Sequence, residues 1–267
     1  MRFSEDPNYG FAVGRVRARE VFLLRRPDYD RLVSLENEAE LLKELRGRMP
    51  LEFSEEPIVS LENLLEVIHT ENRVFFQKYS QNPDLYALIT ERAVLAKPIL
   101  FEYLRRLNND FLNYYFKTAI DLENIRNALR IKYLIEKTED NTTSIFKNIN
   151  RIWLKGGEFT SEDAVKYFVE PWSTIIEWVA KTKYALCLTE GIEYLISQNS
   201  FLRLERKIEE EKQKILLLTR YLVFGYEPLI AYYLFRENEI RNLRRIALGI
   251  KAKIPREWLK ENIVCVL

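Results

Sequence analysis

The sequence predicts an all-α fold with a short internal echo. Three observations carry that expectation. Only 8 Gly and 9 Pro occur in 267 residues, which leaves few tight turns for a many-stranded sheet. Apolar residues recur at three- and four-residue spacing along most of the chain. And "LENIRNALRIKYLIEK" (122–137) is echoed by "ENEIRNLRRIALGIK" (237–251).

The elements follow in order. "GFAVGRVRAREVFLL" places Phe11, Val13, Val16, Val21 and Leu24 at helical spacing, with arginines between them, until Pro27. "DYDRLVSLENEAELLKELRG" reads as one helix, capped by Asp28 or Asp30 and stopped near Gly47. A connector, "MPLEFSEEPIVS", leads to Ser60, an N-cap with Asn63 three residues on. The helix behind it runs through "LLEVIHTENRVFFQKY" to a break at "SQNPD". Helical spacing resumes in "LYALITERAVLA" and is kinked or restarted at Pro98. A long helical stretch covers Ile99 to about Lys137, and "TEDNTT" is a polar loop. "SIFKNINRIWLKGG" reads as a helix ending at Gly156–Gly157, with a new cap at Thr160 or Ser161. "WSTIIEWVAKT" and "YALCLTEGIEYLI" follow Pro171, and residues 200–220 form a charged helix with Leu/Ile at core spacing. Two helices close the chain, the last opened by Pro255. With no Pro- or Ser-rich linker, one contiguous helical body over 1–267 is expected.

At an offset of 115 residues the echo gives six identities in eleven positions: Ile125/Ile240, Arg126/Arg241, Asn127/Asn242, Arg130/Arg245, Ile131/Ile246 and Ile135/Ile250. About one such match arises by chance among all the windows of a chain this long. "FLNYYF" and "LIAYYLF" also set Tyr-Tyr before each copy, at slightly different distances.

The net charge of +1 excludes a polycation. The charge is nevertheless uneven: residues 36–66 hold nine Glu, and residues 241–260 hold seven Lys/Arg against Glu257. Each patch reads equally as a solvated helix face or as a partner contact. The start "MRFSEDPNYG" is polar and shows no signal peptide, and the longest uncharged run, "YLISQNSFL", is nine residues. A spanning helix needs about 20 apolar residues, so no transmembrane segment is expected. Cys187 and Cys265 form no CxxC, which fits a cytoplasmic setting.

No catalytic, cofactor or metal constellation emerges. His69 is the single histidine, too few for a usual zinc site or a triad. GxGxxG and GxxxxGK[ST] are absent, "KGGEF" reads as a helix stop, and "RKIEEEKQK" reads as a solvated face. On the last long helix, Glu237, Arg241 and Arg244 share a face, and Ile240, Leu243, Ala247 and Ile250 form an apolar stripe. Arg and Asn there offer fixed donors to a neighbouring helix or subunit.

Four stretches resemble the C subunit of A/V-type rotary ATPases, called d in eukaryotes. "NYGFAVGRVRAREVFLL" resembles the opening of that family. "AIDLENIRNALRIK" resembles its Asp-x-x-Asn-x-x-x-x-Leu-Arg-x-Lys helix, through Asp121, Asn124, Leu129, Arg130 and Lys132. "WLKGGEFTSEDAVKYF" resembles its Gly-Gly step. "FGYEPLIAYYLFRENEIRNLRRIALGIKAKIPREWLKENIV" resembles its C-terminal signature, through Glu227, Pro228, Tyr232, Glu237, Glu239, Ile240, Arg241, Asn242, Arg244 and Ile246.

The resemblance implies a non-catalytic rotor subunit. In that family three helical lobes form a funnel between the central stalk of the ATP-hydrolysing sector and the membrane ring of proteolipids. The resemblance thus implies an all-α pseudo-repeat of helical bundle lobes, with limits near 1–90, 91–190 and 191–267. The chain departs by showing two Asn-centred helices where three are usual, so an incomplete funnel is implied. Asp121, Asn124, Arg126, Arg130, Glu237, Glu239, Arg241, Asn242 and Arg244 are the candidates for structural or partner-binding roles. The resemblance implies central-stalk and proteolipid-ring partners, a peripheral position on the cytoplasmic face, ion transport as the process served, no cofactor and no nucleic acid. The rival reading is a helical adaptor that binds nucleic acid or an acidic partner through 241–260. A third, an all-helical enzyme, needs clustered carboxylates or a cofactor lysine facing a cavity.

Overall fold

In the computed structural model, which describes residues 2–48, 51–52, 58–91, 93–138 and 152–267 and omits the side chains of 138, 164, 165 and 167, capping side chains set many of the helix starts. α1 is Gly10–Glu20. α2 (Arg26–Val33) starts with Pro27 in its first turn, while the Asp28 carboxylate accepts from Arg25 N at 2.9 Å. α3 (Glu38–Arg46) starts where Asn37 Oδ1 accepts from Glu40 N at 2.9 Å. α4 (Leu61–Ser80) starts as expected at Ser60, whose hydroxyl accepts from Asn63 N at 3.1 Å. α5 (Pro83–Thr90) is capped by Asn82. α6 is Ile99–Leu107, α7 Asp110–Thr138, α8 Ser161–Phe168, α9 Trp172–Ala180 and α10 Ala185–Gln198. α11 is Leu202–Leu217, α12 Glu227–Lys251 and α13 Arg256–Asn262. Among the described residues there is no strand.

Four expectations change. The single helix over 28–47 is two, because the Ser34 hydroxyl turns back to Arg31 O (2.6 Å) and Asn37 caps a new start. The helix over 85–96 stops at Thr90, and Ala93 sits at φ 52° before a 3-10 turn over Val94–Ala96. The stretch from Ile99 to Lys137 is broken at Asn108 (φ 43°), a left-handed position that Asn tolerates better than most residues. Of the helix read in "SIFKNINRIWLKGG", residues 144–151 lie outside the described residues, and 152–160 hold turns with no helix. "TEDNTT" past Thr138 also lies outside them.

The chain divides into two compact units. One comprises 93–104 and 110–212; the other comprises 2–92, 105–109 and 213–267. In the first, Leu122, Ile125, Leu129 and Ile135 of α7 pack with Ile175 and Val179 of α9, Leu188 and Ile192 of α10, and Leu204 and Ile208 of α11. Gly191 lets α10 approach α11 closely, since a Cβ there would stand 2.8 Å from Leu204 Cα.

In the second unit, α12 is the central helix, with buried positions all around it from Glu227 to Ile246. α4 runs antiparallel to it. Asn72 Nδ2 donates to Tyr233 O (3.1 Å), while Glu66, six residues earlier, faces Arg244 (3.4 Å). Phe75 meets Tyr232 and Phe76 meets Tyr233, with ring centroids 5.4 and 4.8 Å apart. Leu32, Leu41, Leu45, Leu64 and Ile68 complete the core with Ile240, Leu243 and Ile246. The first helix faces differently from its pattern. Val13 and Val16 are buried, Phe11 and Val21 are 72% and 70% exposed, and Arg19 is buried against Glu71 (2.9 Å).

Candidate functional site

The Asn-centred motifs resolve into two side-chain clasps of the same design. An asparagine amide carries the same donor and acceptor as a peptide group, so it can pair with one residue's backbone in both directions. In the first unit, Asn124 on α7 donates to Leu154 O and accepts from Leu154 N, both at 2.8 Å. One turn earlier, Asp121 accepts from Glu158 N (2.7 Å), Phe159 N (3.2 Å) and Tyr184 Oη (2.9 Å). Together they hold the non-helical segment 152–160, which has no ladder of its own to satisfy its backbone. Gly157 packs against this carboxylate: a Cβ there would lie 2.1 Å from Asp121 Oδ1.

In the second unit, Asn242 on α12 donates to Val264 O (2.8 Å) and accepts from Val264 N (3.3 Å). Asn238 adds a bond to Val264 O (2.9 Å). One turn earlier, Glu239 accepts from Arg236 (2.6 Å) and Leu24 N (3.4 Å). Asn124, Asp121 and Asn242 are fully buried, and Glu239 nearly so. A buried tyrosine lies beside each carboxylate: Tyr184 by Asp121 and Tyr29 by Glu239, both hydroxyls pushed up chiefly by burial and secondarily by that carboxylate.

This geometry corrects the register of the repeat. Identity counting pairs Asn127 with Asn242 at an offset of 115, but the shared roles fall at 118: Asp121/Glu239, Asn124/Asn242, Ile125/Leu243 and Arg126/Arg244. At 118 the Tyr-Tyr pairs coincide as well, Tyr114/Tyr232 and Tyr115/Tyr233. Asn72 of α4 is buried too, yet it only donates, to Tyr233 O and Glu237, and forms no reciprocal pair of this kind.

The other candidates fall around these clasps. Arg126 bonds Glu123 and lies 3.4 Å from Glu205, and Arg130 meets the same Glu205 at 2.5 Å, tying α7 to α11. Glu237 turns to Asn72 (2.8 Å) and to His69 Nδ1 (3.1 Å). Arg241 and Arg244 are exposed. The stripe of Ile240, Leu243, Ala247 and Ile250 belongs to the unit's own core, not to an outside partner. The acidic 36–66 and basic 241–260 stretches share one groove, where Arg244 faces Glu66. Among the described residues, no group of three or more His, Cys, Asp and Glu is placed to hold a metal ion.

Besides Arg19, sequence reading missed the burial of Arg236 and Glu227. Arg236 pairs with Glu239 inside the core, and the i,i+3 spacing was its only signal. Glu227, which opens α12, is fully buried and accepts from Ser4 N (2.5 Å) and Asn109 Nδ2 (2.8 Å). Burial pushes its carboxyl above the ordinary 4.5, against these bonds. The folded state therefore keeps this proton at pH values where the unfolded chain has released it. Stability attributable to Glu227 is full below 4.5 and is lost as pH rises through the raised folded value. Glu227→Gln should flatten that part of the decline, without abolishing it, because Asp121 is also raised by burial. Urea midpoints followed from about pH 4 to about pH 8 measure this; an unchanged slope would refute the assignment.

Comparison with known proteins bears on these motifs. The family model described as ATP synthase (C/AC39) subunit matches residues 73–262. The C subunit of the A-type ATP synthase of Haloquadratum walsbyi is 21% identical over 151 residues, which are 56% of this chain and 41% of that protein. The chain thus matches less than half the length of this relative. Asp121, Asn124, Glu239 and Asn242 all lie inside the family match.

Proposed function

The chain belongs to the ATP synthase (C/AC39) subunit family, and from that premise we propose that it is a non-catalytic rotor subunit of an A/V-type ATPase. In this reading it joins the central stalk of the ATP-hydrolysing sector to the membrane proteolipid ring and transmits torque for ion transport. It acts as a peripheral protein on the cytoplasmic face, with no cofactor. Among the described residues, no helix is long and apolar enough to cross a membrane. The observation that carries the reading is the family match over 73–262, which contains the carboxylate and asparagine of both clasps.

The candidate residues then divide by task. Asp121, Asn124, Glu239 and Asn242 fasten irregular segments onto long helices, Arg126, Arg130 and Glu237 tie helices together, and exposed Arg241 and Arg244 face partners. In this reading the chain is made of lobes near 1–90, 91–190 and 191–267, two of them with a clasp, and the first and third share the core around α12. A body that carries torque needs its non-helical segments fixed, because a loose segment absorbs rotation as local unfolding.

The test is a deletion strain assayed in membrane vesicles. ATP-driven ion pumping should be lost while hydrolysis by the detached catalytic sector persists, and the full chain should restore coupling. Normal coupling in the deletion strain would sink the proposal.

A further inference from the structure

The groove between α3–α4 and α12 in the second unit has a form that the rotary assignment does not explain. Its volume is about 450 Å³, and Leu61, Leu65 and Ala247 line its floor. One wall carries Glu38, Glu62 and Glu66, and the other carries Arg244 and Lys251. Leu248 stands on the basic side, 65% exposed despite its size. Among the described residues, Glu38, Glu62 and Lys251 enter no ion pair, and Arg244 reaches Glu66 only at 3.4 Å with both side chains well exposed. An apolar floor between walls of opposite sign, bridged by one exposed pair, is a surface whose complement can be written down.

We propose that this groove seats one amphipathic helix of another protein, with an apolar ridge, a basic edge against Glu38, Glu62 and Glu66, and an acidic edge against Arg244 and Lys251. Charge complementarity selects this occupant. A helix with two basic edges would meet Arg244 and Lys251 with like charge, and a helix with two acidic edges would meet the glutamates. A ridge of leucine-type side chains at i, i+3, i+4 and i+7 fills the floor and covers Leu248, as in other helix-in-groove sites. The inference stands on the groove alone and does not depend on which complex the chain enters.

The experiment uses the full chain and three synthetic helical peptides of about 18 residues, five turns long. All share one leucine ridge; their edges are basic/acidic, basic/basic or acidic/acidic. Fluorescence anisotropy should show saturable binding of the mixed-edge peptide, weakened by salt. Leu248→Glu should weaken it by about tenfold or more. Glu62→Lys with Glu66→Lys makes both walls largely basic and should move the preference to the acidic/acidic peptide. These positions are exposed, so circular dichroism should show unchanged folding. Equal binding of the three peptides, no saturable binding, or no effect of Leu248→Glu overturns the proposal. Concentration-dependent self-association that Leu248→Glu abolishes would overturn it in favour of a second copy of this chain.

Discussion

Replacing Arg236 by methionine is expected to cost about 3–5 kcal/mol of folding stability, among the largest single effects in the molecule. Arg236 and Glu239 form a 2.6 Å pair whose side chains are 4% and 2% exposed. Removing the cation leaves a carboxylate in the core with one long bond, from Leu24 N at 3.4 Å. Burial already pushes the Glu239 carboxyl above its ordinary value, and Arg236, with the weaker help of Leu24 N, opposes that shift. The variant should therefore be closest to wild type at low pH, where Glu239 carries a proton in both states. The deficit should open as pH rises, because the unfolded chain ionises first.

The double variant Arg236→Met with Glu239→Leu separates charge from packing. Apolar replacement of both partners is expected to recover most of the loss, leaving about 1 kcal/mol or less. The remainder would measure the bond to Leu24 N and the fit beside Tyr29. Thermal and urea unfolding followed by circular dichroism read both variants. If the single and double variants are equally destabilised, the loss is steric, and the account of Glu239 as a charge held by Arg236 fails.

The sequence showed what depends on side chains acting along their own helix. Ser60, Thr160 and Pro255 each stand where a helix begins, because caps and proline act on backbone groups a few residues away. Asp121, Asn124, Glu239 and Asn242 stood out as motif residues. Their partners did not: Leu154 and Val264 contribute only N–H and C=O, which every residue except proline has. The break at Asn108 left little mark, since one left-handed residue joins two segments that keep helical spacing on either side. The burial of Arg19 and Arg236 was not legible, because it is decided by what packs over the cation: Arg19 meets Glu71 from another helix, and Arg236 is enclosed with Glu239 of its own. The repeat was visible, but in the wrong register. Ile and Arg recur on any amphipathic helix and so dominate an identity count, whereas the Tyr-Tyr pair and the clasp asparagine mark the structural equivalence.

Gly157→Ala is the second large effect, about 3 kcal/mol or more, and it tests the clasp more sharply than removing Asn124 does. A Cβ at 157 would meet Asp121 Oδ1 at 2.1 Å and Ile120 Cγ2 at 3.1 Å. Asp121 has little room to retreat, because it is short, rooted in α7 and held by Glu158 N, Phe159 N and Tyr184 Oη. Either the segment 152–160 lifts off, or a buried carboxylate loses its donors. The neighbouring glycine is the control. Gly156 sits at φ +97°, and its Cβ would meet Phe101 Cε1 at 2.4 Å. Phe101 is 43% exposed and can swing aside, so Gly156→Ala should cost only the left-handed backbone term of about 1–2 kcal/mol. Three of the four tryptophans, Trp153, Trp172 and Trp178, lie in the first unit, so fluorescence-detected unfolding weights that unit. In an Asp121→Ala background the obstructing oxygen is gone, and Gly157→Ala should then cost about 1 kcal/mol or less. The resulting coupling of about 2 kcal/mol would place the glycine and the carboxylate in one mechanism. Additive losses would mean that Gly157 serves its turn for a reason unrelated to Asp121.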